Sequence, residues 1–411
     1  MAASFVQLMF TSAFVFYGLA VYLRTLTKSR GFSVTAMSFA TALFWVASGL
    51  AGLLVARLIA RVDARFLVAV GAVGTALCIA ALGHVTALWH VFVIYPLFGA
   101  FYTPTAVLVT NTLVTRWFHR RRSVALSVAT TGLSVGGIVL TPIASHLLRT
   151  QSIGSAMNRI AVMQLVGVVV IPLLLLRPSP ASMGFAPDGD EPDGDEVDTT
   201  GRSTNAGSAP GVPFADAIRT LTFVAITITF GVALLGQVGG ISQIVKLASE
   251  RADEATAGRI VSVLAGFSVA GRLLGGAIVQ RSSTRRFAFV ALVFQGSGLL
   301  LLSFANSRAS ILVAAAVFGL GVGNVLLLHP LLLGELFGVR DYARIYGRSQ
   351  LAVSMSIAAG PLSMGWLRDH AGGYRTSYLV AFALSVFAIG LFFRLGRPTE
   401  QLLRSAELAV A

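Results

Sequence analysis

One arginine of the chain lies where charge is costly. Arg272 sits among Gly, Ala, Leu and Val in the segment VAGRLLGGAIVQRSSTRR, residues 269–286, whose other arginines crowd its end. An arginine near the centre of a membrane helix costs at least about 3 kcal/mol. A guanidinium stays charged, and its planar fork can hold a carboxylate by two parallel hydrogen bonds. These properties predict that Arg272 recognises an anionic group.

A snorkelling side chain or a salt bridge could also account for Arg272. The side chain could bend toward the basic cluster that begins at Arg281, but the helix between them is about 13 Å long, too far for one side chain without a water-filled path. A salt bridge could neutralise it, but no Asp or Glu lies in the middle of an apolar run, and the nearest candidate, Glu335, ends one. An unpaired cation that awaits an anionic substrate is the favoured interpretation.

Five further polar side chains at membrane depth could line the same cavity: Tyr17, Tyr102, Gln237, Asn324 and His329. Each could instead satisfy backbone groups that a nearby Gly or Pro leaves free. His329 is the one intramembrane group that would titrate near neutral pH, and a packed histidine is its favoured fate. We therefore predict substrate-binding roles for Arg272 first and for these five residues second.

The residue pattern does not indicate an enzyme, a cofactor or a metal site. The chain has a single cysteine, Cys78, and shows neither metal-ligand spacing nor a nucleophile beside a base. Its net charge of +14 could suggest nucleic acid. However, the basic residues sit in short loops between apolar runs, so they indicate membrane topology and exclude nucleic acid as the expected partner.

Composition places these residues in an all-α, multi-pass membrane protein. Of 411 residues, 55% are hydrophobic and 12% are charged, and apolar runs of about 20 residues, each long enough to cross a bilayer as a helix, recur along the chain. Twelve transmembrane spans are predicted, at 5–27, 38–60, 66–84, 88–113, 122–147, 156–177, 214–246, 257–280, 287–305, 309–336, 344–367 and 374–394.

The two halves of the chain resemble each other at a shift of about 220 residues. ARLIARVDARF (56–66) matches GAIVQRSSTRRF (276–287), whereas Arg272 maps onto Gly52. The loop arginines are thus duplicated and Arg272 is not, which argues against a scaffold role. The repeat predicts two pseudo-symmetric six-helix bundles, at 1–177 and 214–411.

An acidic, then Gly/Ser-rich segment at 178–213 separates the bundles and is predicted to be a flexible linker. Seven of the 17 acidic residues fall within 188–198. Lys and Arg are more frequent on the linker's side of the predicted spans, which predicts that this side and both termini are cytoplasmic. We expect a monomer in a plasma membrane, a bacterial inner membrane being the favoured case.

The 6+6 arrangement, the long central loop and the Arg-rich loop after span two, echoed after span eight, resemble the major facilitator superfamily. The resemblance implies a site near the midplane between the halves, with spans one, four, seven and ten forming most of the cavity. The family's usual loop pattern has an Asp where this chain has Ala60 and Gln280. Gating contacts of that Asp are therefore not expected here.

Three segments resemble the monocarboxylate transporter and oxalate–formate exchanger group: TRWFHRRRSVALSVATTGLSVGG (115–137), GELFGVRDYARIYG (334–347) and the Gly271–Arg272 pair. The group's second cation in span eleven is replaced here by the stretch Ser354 to Ser356. A single guanidinium suggests a substrate with one carboxylate.

The resemblance implies a secondary transporter of a small organic anion, a monocarboxylate in the favoured case, that works by alternating access. Two alternatives stay open: an exporter of drugs or other amphipathic compounds, and a transporter-like membrane sensor that binds without moving its ligand. Whether a proton accompanies the anion, which carboxylate is carried and in which direction also stay open.

Overall fold

The computed structural model describes residues 1–118, 121–170 and 211–394. These residues form twelve long helices: α1 (Ala2–Arg30), α2 (Val34–Leu58), α3 (Ala64–Leu82), α4 (Leu88–Trp117), α5 (Arg122–Thr150), α6 (Ile153–Val169), α7 (Leu221–Arg251), α8 (Glu254–Arg281), α9 (Thr284–Phe304), α10 (Arg308–Phe337), α11 (Tyr342–His370) and α12 (Gly373–Arg394). The predicted all-α architecture is confirmed.

Ten of these helices are long and apolar enough to cross a membrane, judged by length and composition. The other two, α6 and α11, occupy the positions of predicted spans six and eleven. Helix α6 is a shorter apolar helix, and the rest of predicted span six lies outside the described residues. Helix α11 has 29 residues and carries Arg368 and His370 in its last turn. The predicted linker lies outside the described residues up to position 210, and the two bundle boundaries stay predictions.

The start of α7 differs from the prediction. Predicted span seven begins at residue 214, whereas α7 begins at Leu221, after a separate short helix, Phe214–Ala217. The hydroxyl of Thr220 accepts a hydrogen bond from the backbone N–H of Phe223 at 3.1 Å and so caps the new helix start. A Thr cap satisfies an N–H that a helix start leaves free. The helix therefore begins after the polar residues Asp216 and Arg219, at this cap.

The two halves use the same set of helix pairs. In the first half α1 packs on α5, α2 on α4, and α3 on both α4 and α6. In the second half α7 packs on α11, α8 on α10, and α9 on both α10 and α12. Adding six to each helix number converts the first set into the second. This correspondence agrees with the duplicated six-helix unit that the sequence predicts.

The halves meet through α2 against α11 and α5 against α8, pairs that the same correspondence exchanges. Small residues allow close approach at both. A Cβ at Gly347 would lie 2.7 Å from the Ala56 side chain, and one at Gly276 would lie 2.5 Å from that of Ser127. These contacts lie toward the end of the bundle where α2 and α8 end and where α5, α7 and α11 begin, which we call the linker side.

Two interruptions in the first half lie near the middle of the membrane-crossing helices. Helix α1 contains a π-helical turn, Ser12–Phe16, immediately before Tyr17. Helix α4 breaks at Ala106, which has an extended backbone and follows a proline two residues earlier. The side-chain amide of Gln7 donates to the carbonyl of Thr105 at 3.0 Å. A buried backbone group at the break is therefore satisfied by α1.

Candidate functional site

Helix α8 approaches two neighbours closely around Arg272. A Cβ at Gly271 would lie 2.7 Å from the carbonyl oxygen of Leu320 in α10, and Gly276 faces Ser127 of α5. The hydroxyl of Ser127 donates to the backbone carbonyl of Arg272. Glycine is the residue that lets helices in a membrane approach this closely. Arg272 is thereby placed where α8 meets both its own bundle, at α10, and the opposite bundle, at α5.

The guanidinium of Arg272 is held by both bundles. Its Nε donates to the carbonyl of Gly323 in α10 at 2.9 Å. Its Nη1 donates to the carbonyl of Thr130 at 3.0 Å and to the hydroxyl of Ser134 at 2.8 Å, both in α5. A carbonyl oxygen has two lone pairs, so the helix backbone can accept these bonds besides its own. The side chain is only 3% exposed and faces the interface of the halves.

Arg272 is surrounded by neutral partners. Of the ion pairs found among the described residues, none involves Arg272. Helices α5 and α10 bring two carbonyls and a hydroxyl within hydrogen-bonding distance of its guanidinium. The side chain therefore has uncharged partners on two of its three nitrogens.

Tyr17 lies beside this guanidinium. A Cβ at Gly137 of α5 would lie 2.6 Å from the Tyr17 ring, and Gly137 is one turn beyond Ser134 on the same helix. The Tyr17 ring therefore lies one turn along α5 from the hydroxyl that accepts a hydrogen bond from Arg272. The π-helical turn that precedes Tyr17 alters the direction of its side chain relative to a regular helix, a feature frequent at functional sites. Of the five secondary candidates, Tyr17 is the one whose ring lies one turn along α5 from a side chain that bonds the Arg272 guanidinium.

Tyr102 belongs to an aromatic cluster of the first half. Its ring centroid lies 5.3 Å from that of Phe44 and 6.0 Å from that of Trp45. Phe16 connects it to Tyr17, because the Phe16 ring centroid lies 5.0 Å from that of Tyr17 and 5.7 Å from that of Trp45. Tyr102 is 6% exposed. The structure thus brings Arg272, Tyr17 and Tyr102 into one neighbourhood formed by α8, α1 and α4.

His329 is packed inside the second half. Its ring stacks on Phe230 with the centroids 5.2 Å apart and lies edge-on to Tyr346 at 5.4 Å. Its Nε2 forms a 2.8 Å hydrogen bond with the hydroxyl of Ser349. That hydroxyl also bonds the hydroxyl of Thr227 at 2.9 Å. These contacts favour a packed, hydrogen-bonded histidine over a substrate ligand.

Asn324 and Gln237 are buried in the second half. The Asn324 amide donates to the carbonyl of Leu320 at 2.8 Å, and its Oδ1 faces Gly275 of α8. Asn324 therefore lies between α8 and α10 of one bundle. Gln237 is 3% exposed in α7. Among the described residues, neither Asn324 Oδ1 nor Gln237 Oε1 has a hydrogen-bond partner, so each is a buried acceptor without a donor.

The sequence did not predict the residues that hold Arg272. Ser127, Thr130 and Ser134 recur at helical spacing in α5, a pattern typical of helix packing; two of them bond the guanidinium and the third bonds the Arg272 backbone. The repeat contains a signal that could have found them. A shift of about 220 residues pairs Ser134 of α5 with Ser354 of α11, and Arg272 of α8 with Gly52 of α2. The structure shows the matching contact between α11 and α2: a Cβ at Gly49, in the turn before Gly52, would lie 3.1 Å from the Ser354 side chain.

Chemically, this arrangement can bind an anion at the junction of the halves. Nη2 of Arg272 has no hydrogen bond to the residues that the structure describes, whereas Nε and Nη1 are engaged. A carboxylate held by two parallel bonds needs Nη2 and one of the other two nitrogens. Binding would therefore exchange a bond to α5 or to α10 for a bond to the ligand. Loading the site would alter the contact between the bundles when the bonds exchanged are those from Nη1 to α5.

Comparisons with known proteins identify the family of the chain. The sequence profile of the Major Facilitator Superfamily matches residues 4–245 and 220–409. The MFS transporter asaE of Aspergillus flavus is 25% identical over 267 residues, 64% of this chain and 55% of that protein. An MFS-type transporter of Gibberella moniliformis is 26% identical over 289 residues, 67% of this chain and 60% of that protein. The matched region thus spans less than two thirds of these relatives.

Solved structures share the fold. The crystal structure of the human organic anion transporter MFSD10 (TETRAN) superposes with a TM-score of 0.71 at 12% identity, over 95% of this chain and 98% of that chain. That of the E. coli fucose:proton symporter FucP superposes with a TM-score of 0.67 at 14% identity, over 96% of this chain and 98% of that chain. At these identities the likeness concerns the fold alone. The profile match covers both halves, and the chain belongs to the Major Facilitator Superfamily.

Proposed function

We propose that the protein is a secondary transporter of small organic anions, with a monocarboxylate as the substrate held by Arg272. The observation that carries the proposal is a buried guanidinium at the junction of the halves that has no acidic partner among the described residues. A buried charge needs compensation, and an anionic substrate would supply it. Tyr17 would add a neutral donor beside the carboxylate, and Tyr102 would line the adjoining wall.

The resemblance to the monocarboxylate transporter and oxalate–formate exchanger group supports the substrate class. So does the similarity of fold to a human organic anion transporter, although fold alone does not determine a substrate. We place the protein in a plasma membrane as a monomer, with both termini in the cytoplasm. A bacterial inner membrane remains our proposal, and the relatives named above are fungal.

The geometry supports alternating access through Arg272. The contacts that join α2 to α11 and α5 to α8 close the linker side. We propose that the substrate reaches Arg272 from the opposite side in this conformation. Because Nη1 of Arg272 bonds α5 of the opposite bundle, exchanging these bonds for the substrate would weaken the linker-side closure. Such differential contact is what allows a ligand to shift a conformational equilibrium.

The proposal is tested by flux. Purified protein in proteoliposomes should take up or exchange a radiolabelled small monocarboxylate, and a panel of unlabelled monocarboxylates should compete. Dicarboxylates should compete poorly, because the site offers one guanidinium. Transport of amphipathic drugs without transport of any carboxylate would favour the exporter alternative. Binding without flux would favour a membrane sensor.

Any proton dependence of transport should survive the substitution His329→Gln. The packed position of His329 between Phe230 and Tyr346 leaves the ring no described contact with Arg272, and Gln can keep a hydrogen bond to Ser349. We expect proton-driven uptake to remain near the wild-type rate, measured under an imposed pH gradient. The matched control is His84→Gln, an exposed histidine after α3. Loss of proton-driven uptake with retained anion exchange would instead make His329 the coupling residue.

A further inference from the structure

Three arginines surround a second, separate cavity on the linker side. It has a volume of about 270 Å³ and is lined by Leu53, Ala56, Arg57, Phe214, Ile218, Arg344 and Arg348. Arg57 belongs to α2 of the first half, whereas Arg344 and Arg348 belong to α11 of the second. A water occupies about 30 Å³ of liquid, so the cavity has room for a phosphate group and several waters. None of its lining residues contacts the guanidinium of Arg272, which bonds α5 and α10.

One wall of this cavity is held in place by hydrogen bonds. The backbone N–H of Phe214 donates to Oδ2 of Asp341 at 2.9 Å, and that of Val212 donates to the carbonyl of Phe337 at 2.9 Å. The guanidinium of Arg344 lies over the Phe214 ring, 4.5 Å from its centroid. The short helix that follows the linker is thereby fixed against α10 and α11, and it completes the cavity between the halves.

The charge around the cavity is strongly positive. Asp341 approaches Arg344 at 3.6 Å. Among the residues the structure describes, no ion pair involves Arg57 or Arg348. The lining of the cavity thus contains three arginines and no acidic residue. Guanidinium groups suit phosphate particularly well, because their paired N–H donors match its oxygens. Like charges from opposite halves would repel across the cavity when it is empty.

We propose that this cavity binds a phosphate-class anion, either free phosphate or a lipid phosphomonoester, and that its occupancy favours the closed linker side. The anion would bridge Arg57 of one half to Arg344 and Arg348 of the other. When the linker side opens, α2 and α11 separate and the three arginines no longer surround one ligand. An anion that binds only the closed state stabilises that state by mass action. This site does not include Arg272, but its occupancy favours the same linker-side closure that substrate binding at Arg272 would weaken.

The binding test uses the purified full-length protein and inorganic phosphate. Phosphate should raise the melting temperature by several degrees over sodium chloride at equal ionic strength. Arg57→Gln and Arg348→Gln should each remove most of that rise. The matched control Arg286→Gln, an exposed arginine at the start of α9 on the same side, should keep it. No rise over chloride, or an equal rise in all three variants, would overturn the site.

Two further arms identify the source and the effect. In phosphatidylcholine nanodiscs, added phosphatidic acid should reproduce the rise in melting temperature if the ligand is a lipid. If the ligand is free phosphate, only phosphate should produce that rise.

Spin labels at Ala60→Cys and Arg340→Cys in a Cys78→Ser background report the distance between the halves. Phosphate should enrich the shorter distances, and Arg57→Gln should abolish that enrichment. Unchanged distances in protein that binds phosphate would overturn the conformational effect.

Discussion

Arg272→Ala should nearly abolish binding of a small carboxylate while the protein still inserts and folds. Losing the partner of a buried, hydrogen-bonded charge costs about 2–5 kcal/mol, which is roughly 30-fold or more in Kd. Folding should survive because the carbonyls of Thr130 and Gly323 keep their own helical bonds. The Ser134 hydroxyl can turn to a carbonyl of the preceding turn. The measurement is ligand-induced thermal stabilisation by a small monocarboxylate.

Two companion variants sharpen this result. Arg272→Lys keeps the charge but loses the planar fork, so binding should weaken clearly without vanishing. Arg259→Ala removes an exposed arginine from the same helix and should leave affinity near wild type. If Arg272→Ala bound the carboxylate with unchanged affinity, the substrate role would be wrong. The three hydrogen bonds to α5 and α10 would then make Arg272 a structural link between the bundles.

The sequence predicts the fold well because its main signal is continuous hydrophobicity. Runs of about 20 apolar residues must form helices in a bilayer, since each backbone group needs an internal partner. The predicted ends of α2 and α5, for example, differ from the observed Leu58 and Thr150 by only a few residues. The start of α7 shows the limit: the helix begins only after the charged residues Asp216 and Arg219, where Thr220 caps it.

The site is less predictable from the sequence because its key acceptors are backbone atoms. That Arg272 is unusual follows from its type and position. The sequence does not show that Thr130 and Gly323 accept its hydrogen bonds. Every residue has a carbonyl, and only the packing of three helices selects these two. The π-helical turn before Tyr17 is equally hidden. It inserts one residue into a helix without a Gly or Pro at that turn to mark it.

Gly276→Val should shift the protein toward the conformation that is open on the linker side. A Cβ at Gly276 would lie 2.5 Å from Cβ and 2.8 Å from Oγ of Ser127, so a branched side chain must push α8 away from α5. Overpacking a close contact costs typically about 1–3 kcal/mol. A cost of about 2 kcal/mol in the closed state alone changes the ratio of closed to open molecules by roughly 30-fold. Distances between spin labels at Ala60→Cys and Arg340→Cys, in the Cys78→Ser background, should lengthen.

The same helix provides a matched control for this effect. Gly266 is exposed on α8, and a Cβ there would meet nothing within 4 Å. Gly266→Val carries the same change in helix propensity, so any effect common to both variants comes from the helix and not from the interface. We expect wild-type distances for Gly266→Val and longer ones for Gly276→Val. Equal distances in the two variants would mean that the contact between Gly276 and Ser127 does not determine closure.

The Ser127 hydroxyl also bonds the Arg272 backbone, so opening this contact should weaken the hold of α5 on Arg272. Because substrate binding and this substitution both loosen the contact with α5, Gly276→Val should keep or raise carboxylate affinity, whereas Arg272→Ala should nearly abolish it.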